Sequence, residues 1–246
     1  VVLTDHGLWG LSPVRTESFP IWFRNFVAEW SFFKFLSKGI HTITTVSPYS
    51  FKVLKKFHNR VRYIPNGVDI PPYFNKISWE KKENRAVFLA RHHPQKDLAF
   101  VTEIASKLVE MGWKVDFGGY GKETQKYLKY WKMRNIRYRF RSEKEKRELL
   151  KKSKLLLQPS KWEAGFTISV MEALAHKVLP VVRDYGLSKT DLADFLVVVD
   201  KKNYVEKINA ALSHKYDWVY LGRLLKTKYS WKNIARQYEE VLGEAE

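Results

Sequence analysis

The chain has 246 residues, of which 45% are hydrophobic, and it contains no cysteine. That length supplies one large domain or two small ones with a real core, and the missing cysteines exclude disulfides and thiolate chemistry. The formal net charge of +18 suits nucleic acid, anionic lipid or phosphorylated small molecules as partners, while no apolar run approaches the ~18 residues of a bilayer span.

No secretory signal is visible, and a cysteine-free chain fits a reducing compartment, so a cytoplasmic location is expected. The lysines are spread through stretches such as KKENR and EKEKRELLKKSK, which read as solvated, salt-bridged surface. No zinc-finger spacing or RNA-binding aromatic signature is present, which argues against a nucleic-acid partner.

In chain order, strands alternate with helices, the pattern of an α/β protein with parallel sheets. A strand-like start leads into TDHG. HTITTVS (41–47) reads as a buried strand, and SPYSFKVLKKF as a helix with Ser47 as its cap and Pro48 at its first position. RVRYIPNGVD is a short strand followed by turn chemistry at Pro65-Asn66-Gly67. Residues 71–84, Pro-led and charged, read as an interdomain linker. A second run follows: RAVFLA (85–90) as strand, DLAFVTEIASKLVEMG as a helix ending at Gly112, and KVDFGGYG as a strand entering a glycine loop. Then come strand NIRYRF, helix KEKRELLKKS, strand KLLLQPS, a helix over 167–176, strands LPVV and FLVVV, and a closing helix from SWKNIARQYEEVL.

The strand ends of the second run carry the chemistry. Arg91 and Lys96 follow VFLA, Gly119-Tyr120-Gly121 follow VDFG, and Glu163 and Gly165 follow LLLQ on the way into a helix. Ligands bind beyond the carboxyl ends of strands in such sheets. Two cations, a glycine loop and a helix N-terminus meeting there suit a diphosphate. Glu172 is unusual, because at about 100° per residue it shares one arc with Ile168, Met171 and Ala175. A carboxylate on an apolar face needs a partner, or it neutralises. His92 and His93 lack a third ligand at metal-binding spacing and read as loop residues.

The ordered set PNGVD, ARHHPQK, GYG, PSKWEAGF, MEALA, PVV and SWKNIARQYEEVL resembles the family 4 glycosyltransferases, over nearly the whole chain. The resemblance implies a GT-B-like α/β fold of two Rossmann-like units, and a retaining, metal-independent transferase with no cofactor beyond a UDP- or GDP-linked sugar. It implies Glu163 and His6 as catalytic residues beside the donor sugar, and Arg91, Lys96, Gly165, Phe166 and Thr167 as the diphosphate site. Glu172, Gly119, Gly121 and Arg141 would hold the nucleotide's ribose and base. The alternative for Glu172 is a structural pairing with a lysine.

Three departures stand out. Eight residues rather than seven separate Glu163 from Glu172, so Ala164 falls in the slot of the family's first glutamate. Lys177 replaces a glycine in AHKVLP. The chain also starts late relative to the family, so residues 1–76 are expected to form a partial N-terminal acceptor-side unit. A complete donor domain (77–227) and a helix (228–246) packing back on the first unit are expected to follow. That leaves a fragment, a reduced fold, or, as the alternative to a transferase, a non-catalytic or half-enzyme subunit that binds a nucleotide sugar and a partner chain supplying the missing N-terminal strands; a homo-oligomer is the other partner expected. The aromatic, basic stretch 19–39 would touch the inner membrane face or pack into protein. The acceptor would be a glycan or a lipid-linked molecule.

Overall fold

The computed structural model describes residues 1–8, 11–12, 18–139 and 142–245. Two all-parallel sheets organise them. The first contains β1 (Val2–Asp5), β2 (Thr42–Thr45) and β3 (Val61–Tyr63), in that order. Helix α1 (Phe19–Ser31) and a π-turn, Phe32–Leu36, lie between β1 and β2. Helix α2 (Pro48–Leu54) follows β2, with Pro48 in its first turn and the Ser47 hydroxyl accepting from the Ser50 N–H at 3.1 Å, a side-chain cap for an orphan donor.

The second sheet holds β4 (Arg85–Leu89), β5 (Lys114–Gly118), β6 (Arg137–Tyr138), β7 (Leu155–Gln158), β8 (Leu179–Val182) and β9 (Val197–Val198). Their spatial order is β6-β5-β4-β7-β8-β9. Counting from β4 as the first strand, this is 3-2-1-4-5-6, the doubly wound order that opens a crevice where the winding reverses, between β4 and β7. The helices are α3 (Leu98–Glu110), α4 (Thr124–Met133), α5 (Glu143–Lys152), α6 (Ile168–Ala175), α7 (Tyr204–Ser213) and α8 (Trp218–Leu224).

The strands are buried on both faces, as their continuous apolar runs require. Val87, Leu156 and Val182 belong to one core with α6 and α8, while Ala86, Phe88, Leu155, Leu157 and Val181 belong to the other with α3. This is the two-residue alternation of a pleated strand. Helices α4, α7 and α8 were not expected from the sequence. In α4 the apolar side chains that pack on the core are Tyr127, Leu128 and Trp131, set among several lysines.

The segment 71–84 is more than a tether. Phe74 and Trp79 are buried, and the Lys82 ammonium donates to the carbonyls of Leu150, Lys151 and Ser153 at 2.7, 3.0 and 2.9 Å. Lys82 thus satisfies carbonyls that the end of α5 leaves free. Lys177 has φ 53°, the left-handed conformation a glycine would take most easily. Its ammonium donates to the Ile77 carbonyl at 2.8 Å and lies 4.8 Å from the Phe74 ring centre, which ties α6 to the same segment.

The last helix, α9 (Trp231–Gly243), runs back to the first sheet. Ile234 and Val241 pack with Ile64 and Val2, and Arg62 pairs with Glu244 at 2.8 Å. The Val68 N–H donates to the Tyr229 carbonyl at 2.8 Å just before it.

Candidate functional site

The carboxyl ends of both sheets face one cleft of about 400 Å³. His6 reaches it after β1, Val46 after β2, Asn66 after β3, Arg91 and Lys96 after β4, and Glu163 to Thr167 between β7 and α6. Seven residues singled out in the sequence therefore line one cavity: His6, Arg91, Lys96, Glu163, Gly165, Phe166 and Thr167. The second sheet contributes at its switch between β4 and β7.

Each is positioned locally. The Asp5 carboxylate accepts from the Gly7 N–H at 3.0 Å and from the Thr45 hydroxyl at 2.8 Å, fixing the turn that carries the exposed His6. Arg91 is exposed and, among the described residues, forms no ion pair. Lys96 and Glu163 form a salt bridge with both side chains largely buried, at 12% and 8% exposure. Ala164, in the neighbouring slot, also lines the cleft. Gly165 packs on the Val46 carbonyl. The Phe166 ring lies in the core, so only its backbone faces the cleft, and its carbonyl accepts from the Asn66 amide at 2.8 Å. Thr167 caps α6 by accepting from the Val170 N–H at 3.3 Å, and its hydroxyl also accepts from Gln158 at 2.8 Å.

Glu172 lies in an adjoining cleft with Glu143, Arg147, Tyr73 and Trp231. Its two oxygens accept from the Lys146 ammonium at 2.8 and 3.0 Å. Burial works to lower the Lys146 pKa, and the Glu143 and Glu172 carboxylates overcome it and hold it above the ordinary lysine value. Met171 and Ala175 are buried as expected, but Ile168 is 54% exposed, because the first turn of α6 opens onto both clefts.

Gly119 and Gly121 serve close packing. Gly119 has φ 101°, and a Cβ there would fall 2.0 Å from the Ala90 carbonyl oxygen; at Gly121 it would fall 2.2 Å from that of His92. The glycine loop thus lies flat on the chain that carries Arg91. His92 clamps the two together. The Gly118 carbonyl can only accept, so the ring Nε2–H donates to it at 3.3 Å, and Nδ1 accepts from the Thr124 hydroxyl at 2.8 Å. That hydroxyl in turn accepts from the Gly121 N–H at 2.9 Å. Burial pushes the His92 pKa below the ordinary imidazole value. His92 is therefore a structural neutral histidine; His93 accepts from the Gln95 N–H at 3.3 Å. Among the described residues, no group of three or more His, Asp or Glu is placed to hold a metal. Arg141 lies outside the described residues.

Sequence reasoning missed Asn66, Gln158, Ser169 and Lys146. Asn66 sits in a turn and Gln158 ends a strand, positions that a sheet-edge rule would have marked. Ser169, whose hydroxyl donates to the Leu89 carbonyl at 3.1 Å, and Lys146, one lysine among many, carry no such signal.

A family model described as "Glycosyl transferases group 1" matches residues 69–238. The chain belongs to that family. No curated protein matches the sequence. Solved structures share the fold. S. aureus TarM, a mutant in complex with fondaparinux, α-GlcNAc-glycerol and UDP, superposes with a TM-score of 0.72 at 18% identity, over 97% of this chain and 50% of its own. Sucrose-phosphate synthase from Thermosynechococcus elongatus gives 0.71 at 14% identity, over 99% and 67%. Anabaena HepE in complex with UDP and glucose gives 0.68 at 14%, over 98% and 71%. The chain thus has the GT-B-like α/β fold of glycosyltransferases, and spans half the length of TarM. No helix among the described residues is long and apolar enough to cross a membrane.

Proposed function

We propose that the cleft between the two sheets binds a nucleotide-diphosphate sugar, UDP- or GDP-linked, and that the chain transfers its sugar to a glycan or lipid-linked acceptor. The observation that carries this is the convergence of Arg91, Lys96, Glu163 and the start of α6 at the β4–β7 switch, with His6 opposite. An unpaired guanidinium, an ammonium and free N–H groups at a helix start neutralise a departing diphosphate without a metal. Glu163 occupies the ammonium until a phosphate takes it, and is then free to accept from a sugar hydroxyl. Glu172, held by Lys146, keeps lone pairs for ribose hydroxyls. The motif order supports a retaining reaction of the family 4 type. Catalysis rests on positioning and electrostatics; we assign no nucleophile.

Arg91→Ala is the clean test, because the side chain is exposed and unpaired. Loss of a charge-assisted bond costs about 1.5–3 kcal/mol, so UDP affinity should fall roughly tenfold to a hundredfold in calorimetric titration. Uridine affinity should stay unchanged. An equal loss for both ligands removes the phosphate assignment.

The exposed face of α1 favours a second reading alongside the first, in which the chain works against a surface. Phe19, Phe23, Val27 and Trp30 recur at helical spacing and are all exposed, with Arg24, Lys34 and Lys38 exposed nearby. A cytoplasmic protein docked peripherally on anionic lipid, or on a partner subunit, fits that face.

A further inference from the structure

A second cavity, of about 590 Å³, lies between α2 and the loop that follows β8. The loop after β7 separates it from the cleft described above: Lys161 and Trp162 line the second cavity, and Glu163 and Ala164 the first. We propose that this second cavity binds a phosphorylated sugar, either free or as the head of a lipid-linked saccharide. The proposal is independent of the donor assignment.

Two features point to that chemistry. One wall is aromatic, built from Tyr49, Trp162 and Tyr185. Their rings meet edge to face, Tyr49 with Trp162 at 82° and Trp162 with Tyr185 at 80°. Such a box offers apolar surface to the C–H face of a pyranose, but no parallel pair of rings for a nucleobase to enter. The second feature is charge. Lys52, Lys161 and Lys189 line the cavity, are exposed, and among the described residues form no ion pair. Ammonium groups left without carboxylates around an enclosed apolar wall suit a compact anion. Arg183 also lines it, but its guanidinium is committed to Asp97 at 2.7 Å. The carboxylate present, Asp184, accepts from the Gly186 N–H at 2.8 Å and the Ser188 hydroxyl at 2.6 Å.

The volume admits a monosaccharide phosphate with room for a second ring. Neither a neutral sugar nor a bare phosphate uses both walls, so the pocket should bind the two together far better than either alone.

The test is calorimetric titration of the whole chain with glucose 6-phosphate, glucose 1-phosphate, glucose and inorganic phosphate. At least one sugar phosphate should bind tenfold or more tightly than glucose and inorganic phosphate. The paired substitution Lys161→Ala, Lys189→Ala touches two exposed, unpaired side chains and should leave the melting temperature unchanged. It should weaken sugar-phosphate binding tenfold or more while UDP affinity stays the same. A prenyl-linked glucose phosphate in phosphatidylcholine vesicles separates the sources. Binding of the vesicle-borne form alone, lost in the variant, assigns the lipid-linked source, and binding of the free form assigns the soluble one. The proposal is overturned if neither the free nor the vesicle-borne sugar phosphates bind better than inorganic phosphate, if the variant binds them as well as the native chain, or if UDP displaces them competitively. Loss of UDP binding with retained sugar-phosphate binding would instead count against the donor assignment alone.

Discussion

Glu163 and Lys96 neutralise one another in a site where water is scarce, and that pairing sets how the cleft responds to ligand. Removing the lysine alone would strand a buried carboxylate, a change that typically costs about 3–5 kcal/mol and confuses folding with binding. Removing the carboxylate's charge is informative instead. In Glu163→Gln the ammonium no longer has a competitor for phosphate, so UDP should bind about 1 kcal/mol, or roughly fivefold, more tightly. Any affinity that the donor's sugar adds over the bare nucleotide should disappear with the sugar contact, and transfer should stop. Weaker UDP binding in this variant would show that Glu163 supports the phosphate site rather than masking it. Much of this arrangement was legible in the sequence, because Arg91, Lys96 and Glu163 each follow a strand and parallel strands bring their ends together. The partner of Glu172 was not legible. Lys146 lies among several basic residues of α5, and only packing of α5 beside α6 selects it.

At the scale of elements, the site depends on how the chain after β4 and the glycine loop after β5 are held together. His92 does this as a neutral ring between the Gly118 carbonyl and Thr124. Burial lowers its folded pKa, and burial likewise lowers that of His176. The unfolded chain therefore takes up a proton near pH 6.5 that the folded chain refuses. The stability these rings contribute is complete above about pH 6.5 and is lost as pH falls through the folded values. His92→Gln retains one donor and one acceptor without the titration. Urea unfolding between pH 7 and pH 5 should show a shallower loss of stability in the variant than in the native chain; equal slopes would mean that His92 does not titrate on unfolding. His92 is a loop residue, as its polar neighbours suggest; its burial was not legible, because the contacts that bury it, Phe88, Trp131 and Tyr138, come from three other elements. The segment 71–84 does join the two sheets, but its packing was likewise hidden. Its prolines and charges have linker composition, yet the buried side chains of Phe74, Trp79 and Lys82 are spaced too irregularly to form a periodic signal.

For the whole molecule, α9 ties the second sheet back to the first, and α1 leaves an aromatic face uncovered. No α1 residue is buried. Glu29, the acidic residue of α1, is engaged by the Leu11 N–H at 2.9 Å, so the exposed charge of this region is positive. Cosedimentation with phosphatidylglycerol vesicles should therefore retain the chain at low salt. The exposed-face substitutions Phe23→Glu and Val27→Glu together should weaken that retention tenfold or more without changing UDP affinity. Retention that is equal in the variant, or absent in the native chain, would return α1 to protein packing. The alternation of strands and helices, interrupted at 71–84, indicated two parallel α/β units, and their Rossmann-like character was implied by the family resemblance; the strand order was not read from the sequence.

Everything proposed for the cleft requires a nucleotide diphosphate at the β4–β7 switch. Hydrogen–deuterium exchange with and without saturating UDP locates the ligand directly. Added protection is expected in two separated segments, 91–96 and 163–170, the loop after β4 and the start of α6, which both line the cleft. No added protection is expected at 183–190, the loop that lines the second cavity. UDP that protects only 183–190, or that binds tightly while leaving 91–96 and 163–170 unchanged, would contradict it.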